Sequence, residues 1–170
     1  MLVATVSVPS APEKQIKLLR AGFKLSAIAN NADYTEPVVD SNAITQTMTV
    51  APNQTIQAGD ALMISNGMLA KCTNVKNGIQ DNTNKCVGIA ITGATAGEDL
   101  QYMITGTMTL VVAGATAGQS LYVGPDATLT PVTDVDSFMS TVNFLQKVGT
   151  ALTGSKIQVS IEPAVKGQTA

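Results

Sequence analysis

Histidine and tryptophan are missing altogether from this chain of 170 residues. Without imidazole there is no Ser-His-Asp or Cys-His machinery, no His-bearing zinc site and no imidazole acid–base catalysis. Charge is scarce as well: Asp, Glu, Lys and Arg make up 13%, about half the usual share of roughly 25%. Aromatics amount to three Tyr and three Phe, few for a surface that stacks on sugars. No apolar run approaches the ~20 residues of a spanning helix, so no membrane association is expected. The opening Met-Leu-Val-Ala-Thr-Val-Ser-Val lacks a basic stretch followed by a long apolar core, which argues against a secretory signal. On that reading the sequon Asn53-Gln-Thr55 is a chance match. Glu98-Asp99 and Asp134/Asp136 are the only close carboxylate sets. Nothing near them in sequence supplies a partner or a reason for a raised pKa. No catalytic residue, metal ligand or cofactor is expected, and the chain reads as something other than an enzyme.

What fills the chain instead is Thr, Ser, Asn, Gln, Gly and Ala, with an ordinary 45% of apolar residues. A surface so poor in Lys and Glu has little protection against association, which suits a subunit whose faces meet other subunits. The net charge of −2 is unevenly placed: residues 1–30 carry +3 and residues 31–170 carry −5. Lys14, Lys17, Arg20 and Lys24 make the basic cluster, with Glu13 the sole acid before Asp33. Ser10 and Glu13 fit a capping box, and Ile16, Leu19, Phe23 and Ala27 share a helical face, predicting a short helix near 11–21. Two readings stay open: a solvated helix closing one end of the body, or an arm that docks on an acidic protein surface. Nucleic acid is not an expected partner, because the cluster has no aromatic interleaving and the body is acidic.

The strongest positive signal is repetition. Gly59-Asp-Ala-Leu-Met-Ile64 returns as Gly118-Gln-Ser-Leu-Tyr-Val123, and Cys86-Val-Gly-Ile-Ala90 as Lys147-Val-Gly-Thr-Ala151. Leu100-Gln-Tyr-Met-Ile104 returns as Ile157-Gln-Val-Ser-Ile161. Three echoes in one order, each displaced by 57 to 61 residues, argue for two copies of a small β unit. If so, Leu62 and Leu121, Val87 and Val148, and Leu100 and Ile157 should form buried, corresponding pairs. A shorter echo, Gly93-Ala-Thr-Ala-Gly97 and Gly114-Ala-Thr-Ala-Gly118, lacks the following helix and Lys of a phosphate loop. These glycines are expected to supply unusual backbone angles between strands.

From residue 43 the period is two. Ile44, Met48 and Val50 alternate with Thr45, Thr47 and Thr49, while Tyr102, Ile104, Met108 and Leu110 alternate with Met103, Thr105, Thr107 and Thr109. Apolar on one side and Thr on the other is the pattern of half-buried antiparallel strands. Asn66-Gly67 predicts a hairpin turn between 61–65 and 68–73, with Gly124-Pro-Asp126 in the equivalent place of the second copy. Cys72 and Cys86 bracket an Asn-rich loop. They are a candidate disulfide if 68–73 pairs with 85–91, although two Cys are also the count of an ordinary reduced protein. The expected organisation is an N-terminal lead-in, 1–42, and a β-rich body, 43–170, duplicated at about 56–110 and 115–163. The fold class is all-β: a small antiparallel barrel or compact sandwich of eight to twelve strands.

The order Gly-Asp-x-Leu, hairpin, Val-Gly-x-Ala, then Tyr-Met-Ile-Thr-Gly-Thr-Met, repeated over about 56–163, resembles the capsid decoration and head-fibre proteins of tailed bacteriophages. The resemblance implies a non-enzymatic virion subunit, a homotrimer on the outer surface of the shell. Its partner would be the major capsid protein and its assembly would take place in the host cytoplasm. Lys14, Lys17, Arg20 and Lys24 are the candidate docking residues on that reading. The alternative from another class is a receptor- or glycan-binding fibre or adhesin module.

Overall fold

The computed structural model describes residues 39–74, 85–142 and 144–166; the helix expected near 11–21 lies outside them. The described chain is all-β apart from one short helix, with thirteen strands, a count above the expected range because four of them are two-residue pairings.

Alternating apolar residues and tight turns build the same arrangement twice. In the first unit β3 (Ala61–Ser65) and β4 (Met68–Lys71) form a hairpin. Its two turn residues, Asn66 at φ 50° and Gly67 at φ 77°, have the paired positive φ that a type I′ turn requires. Strand β5 (Gly88–Ala90) lies on the other side of β3, and β7 (Asp99–Thr109) follows it. In the second unit β8 (Ser120–Val123) and β9 (Leu129–Pro131) form the hairpin, β11 (Lys147–Thr153) flanks β8, and β12 (Lys156–Ser160) follows. Strands β7 and β12 pair with each other, so the order β4-β3-β5-β7-β12-β11-β8-β9 has one unit mirrored in the other.

Residues of the first two echoes stand at like rungs, and those of the third do not. Leu62 stands opposite Gly88 and Leu121 opposite Gly149; Ala61 meets Ile89, and Ser120 meets Thr150. Leu62, Leu121, Leu100, Val148 and Ile157 are all buried. Val87 is half-buried against the first unit's core. The third echo is displaced: Ala90 faces Tyr102 while Ala151 faces Ile157. Tyr102 is therefore the positional equivalent of Ile157. A slip of two residues keeps the same face inward.

The sheet curls as a half-barrel. Strand β1 (Ile44–Thr49) runs along β7, and Val50 then bridges to Leu69 of β4, where the Ala51 N–H donates to the Leu69 carbonyl at 2.7 Å. This draws the first unit around a core of Val50, Ile56, Leu62, Leu69, Leu100 and Tyr102. A second core gathers Met103, Met108, Leu121, Val123, Val148, Ile157 and Val159. Smaller pairings complete the fold: β2 (Thr55–Ile56) with β6 (Ala94–Thr95), and β10 (Phe144–Leu145) with β13 (Val165–Lys166).

Three expectations are revised. Simple alternation fails along β7, since Leu100 and Tyr102 enter the first core whereas Met103 and Met108 both enter the second. The change of side falls at Gly106, whose φ of 129° suits glycine and whose added Cβ would lie 2.6 Å from Ala43. Strands β4 and β5 do not pair; β3 lies between them. A short helix, α1 (Val135–Thr141), interrupts the β body, and Phe138 and Met139 pack from it onto Tyr122, Val132 and Leu145.

Candidate functional site

The acidic residues serve the backbone. Three sequence-similar turns, Gln57–Asp60, Thr95–Glu98 and Thr116–Gln119, share one construction. Each has Ala-Gly in the middle, with the glycine φ at 88°, 83° and 84° respectively. In each, the last side chain accepts the N–H of the first residue: Gln57 to Asp60 at 2.8 Å, Thr95 to Glu98 at 2.9 Å, Thr116 to Gln119 at 3.1 Å. The backbone closes the other way, the last N–H donating to the first carbonyl, the hydrogen bond of a β-turn that places glycine third. Each turn launches a strand: β3, β7 or β8. Asp99 accepts the Thr49 hydroxyl at 2.8 Å across β1 and β7. Asp134 is the N-cap of α1, accepting the Ser137 N–H at 3.1 Å, with Asp136 in the first turn, both favourable positions for a carboxylate. The close carboxylate sets are accounted for by turns and caps.

An open groove of about 450 Å³ runs between residues 57–60, 110–113 and 128–131. Its carboxylate, Asp60, is ion-paired to Lys71 at 3.1 Å, and the remaining lining is Gly, Ala, Val, Leu, Thr, Gln and Pro. That set offers no nucleophile with a base beside it. Among the described residues no three His, Cys, Asp or Glu side chains are grouped for a metal ion.

The most constrained polar chemistry is at the stems of the 75–84 segment. Cys72 follows β4, Cys86 precedes β5, and both are buried thiols hydrogen-bonded to one another. The hydrogen bond with Cys86, burial, and the charge that Cys86 would carry all push the Cys72 thiol well above its ordinary range. The Cys86 thiol also donates to the Gly88 carbonyl at 3.3 Å. Two buried amides clamp these stems to the second unit. Gln146 accepts the Cys86 N–H at 2.7 Å and donates to the carbonyls of Cys86 and Glu162, each at 3.0 Å. Asn74 accepts the Phe144 N–H at 3.2 Å and donates to the Phe144 carbonyl, while its own N–H donates to the Gly124 carbonyl at 3.1 Å. Sequence reasoning missed both amides, because their partners lie 60 and 70 residues away and no local pattern marks a buried Gln or Asn.

Lys14, Lys17, Arg20 and Lys24 lie outside the described residues. Within the described body Lys71, Lys147 and Lys156 are ion-paired with Asp60, Glu162 and Asp40, at 3.1, 2.8 and 3.8 Å. Among the exposed large apolar side chains are Ile44, Ile64, Val111, Leu152 and Val165. The architecture is thus two hairpin-based β arrangements joined through β7 and β12, with acids used in turns, a helix cap and ion pairs. Residues 39–158 match the family model described as phage cement protein. The chain belongs to that family. As a phage cement protein it is a structural, capsid-associated component of the virion, from a class of proteins that are in general non-enzymatic. A solved structure, "The crystal structure of head fiber gp8.5 N base in bacteriophage phi29", is similar at 19% identity, covering 74% of this chain and 100% of that one, with a TM-score of 0.40. No curated protein matches.

Proposed function

We propose that this cement protein is a decoration subunit: it binds the outer face of a phage shell as a homotrimer and holds neighbouring major capsid proteins together. The family match over residues 39–158 carries the reading. The mechanism is mechanical. A specific contact buries on the order of 1,600 Å². Repeating that contact over a shell, and across three arms of one trimer, multiplies the resistance to separation by raising effective concentration. The exposed faces suit such contacts, with half-buried Thr45, Thr49, Thr105, Thr107 and Thr109 along β1 and β7 and little charge to oppose close approach.

The segment before residue 39 lies outside the family match and contains Lys14, Lys17, Arg20 and Lys24. We assign attachment to it: a basic segment is attracted to an acidic patch on the shell. Against the glycan-binding alternative, Tyr102 and Tyr122 are buried and Phe138 and Phe144 pack on the cores. Among the described residues the rings are thus buried (Tyr102, Tyr122) or half-buried against a core (Phe138, Phe144), which weighs against sugar stacking. Incubating the purified protein with expanded empty shells and sedimenting the mixture tests the reading. Saturable recovery with the shell supports it; recovery no greater than without shells contradicts it.

A further inference from the structure

We propose that Cys72 and Cys86 are a modification site, closing to an intramolecular disulfide when the protein meets a small-molecule disulfide oxidant such as oxidised glutathione. Adjacent residues of β3 hold the two stems from opposite flanks: the Ala61 carbonyl accepts the Cys72 N–H at 2.8 Å and the Leu62 carbonyl accepts the Val87 N–H at 2.7 Å. In a flat sheet the strands on either side of a third stand about 10 Å apart, beyond the ~7 Å reach of a disulfide. Here Cys72 is one residue past β4, Cys86 is two residues before β5, and the sheet curls. Both side chains lie in the same buried cluster as Ala61, close enough for each thiol to perturb the other. The Gln146 amide fixes the Cys86 backbone at both its N–H and its carbonyl, so the pair is held in place from outside the hairpin.

The reaction balances as two successive exchanges. One thiol loses its proton and attacks a sulfur of oxidised glutathione, expelling one glutathione thiolate. The second, deprotonated in turn, attacks the protein sulfur of that mixed disulfide and expels the other. Two protein thiols are oxidised to one disulfide, oxidised glutathione is reduced to two glutathiones, and the two protons end on the leaving thiolates. Since both sulfurs are buried, the first attack proceeds from locally opened states and is slow. The biological sense follows from compartment: thiols persist during synthesis in a reducing cytosol and close once the particle is outside the cell.

The full chain is incubated with oxidised glutathione at mildly alkaline pH and then digested after alkylation. Trypsin cleaves after Lys71, Lys76 and Lys85, so the two cysteines fall on separate peptides. The expected result is a chain two hydrogens lighter, one cross-linked peptide pair, and a rise in Tm of roughly 6–12 °C for closing a loop of this size, reversed by dithiothreitol. The double variant Cys72→Ser with Cys86→Ser should have a Tm indifferent to the oxidant. Should that variant fail to fold, the mass and peptide map of the wild-type protein still decide. A persistent glutathione adduct, an intermolecular dimer, or unreacted thiols where urea-unfolded protein reacts would overturn the proposal.

Discussion

Two glycines stand where the ladders leave no room for a side chain. A Cβ on Gly149 would lie 2.3 Å from the Gln158 carbonyl oxygen, and one on Gly88 would lie 2.5 Å from the Tyr102 ring and 2.7 Å from the Met103 carbonyl oxygen. Backbone cannot step aside as a flexible side chain can, so Gly149→Ala should cost on the order of 1–3 kcal/mol or more, as overpacking does. Gly154→Ala, with nothing within 4 Å of its added Cβ, is the control and should be nearly neutral. Urea unfolding of the two variants decides it; equal midpoints would contradict the close approach. The Val-Gly-x-Ala echo therefore has a steric cause at its glycine. That cause was legible as a motif and not as a contact, because the carbonyl that faces each glycine is set by the pairing of β11 with β12 and of β5 with β7.

A second expectation at this scale concerns pH. Hydrogen bonding with Cys86, burial and the charge Cys86 would carry raise the Cys72 thiol in the folded protein. Its stabilising effect is therefore complete below the unfolded thiol value of about 8.5 and is lost progressively as pH rises toward the folded value. The sign follows from proton counting, since above pH ~8.5 the unfolded chain releases a proton that the folded chain retains. Burial pushes the Cys86 thiol up, but its hydrogen bonds with Cys72, Gly88 and Leu62 outweigh that and hold it below the ordinary value, which offsets part of the Cys72 effect. Under reducing conditions the fall of Tm above about pH 8 should be less steep in Cys72→Ser than in wild type. A variant that falls as steeply as wild type would refute the assignment to Cys72.

At the scale of elements, Leu62 and Leu121 occupy matching rungs of two hairpin units, each buried in a different core. Truncating either to Ala removes a packed side chain and leaves a cavity, so each should lower stability by about 2–5 kcal/mol, measured by urea unfolding. A loss well under 1 kcal/mol at either site would mean that its unit does not hold the body together. The hairpins, the launch turns and the inward residues of these strands were readable because turn chemistry and period-two alternation are local. The side change in β7 was not, because it accompanies the positive φ of Gly106 and its close approach to Ala43, just before β1. Nor was the insertion of β3 between β4 and β5, a consequence of β5 reaching for β7. Asp134 and Asp136 read as a carboxylate pair in the sequence. Their use as the start of α1 was signalled by an N-cap residue following Pro131, a signal that the strong β pattern around it obscured.

For the whole molecule, the proposed oligomer rests on low charge and half-buried Thr side chains along β1 and β7, and association with the capsid on the family. The isolated protein at micromolar concentration should sediment at equilibrium as a trimer of the 17.5 kDa chain. A monomer both free and on the particle would remove the trimer from the account. Fold class and a capsid-associated role were accessible from the sequence because period-two alternation and turn chemistry are local, and because the order of individually weak motifs over about 56–163 resembles such head proteins. The attachment role proposed for Lys14, Lys17, Arg20 and Lys24 rests on a charge imbalance in a segment outside the described residues.

The most direct measurement is co-sedimentation of the purified protein with expanded empty shells, with the full chain beside a variant lacking residues 1–30. The full chain should bind saturably, and the truncated one should keep its β-type circular dichroism while losing shell binding. Failure of the full chain to bind would contradict the decoration role itself. Undiminished binding by the folded truncated variant would contradict the arm and move the contact to the body's loops.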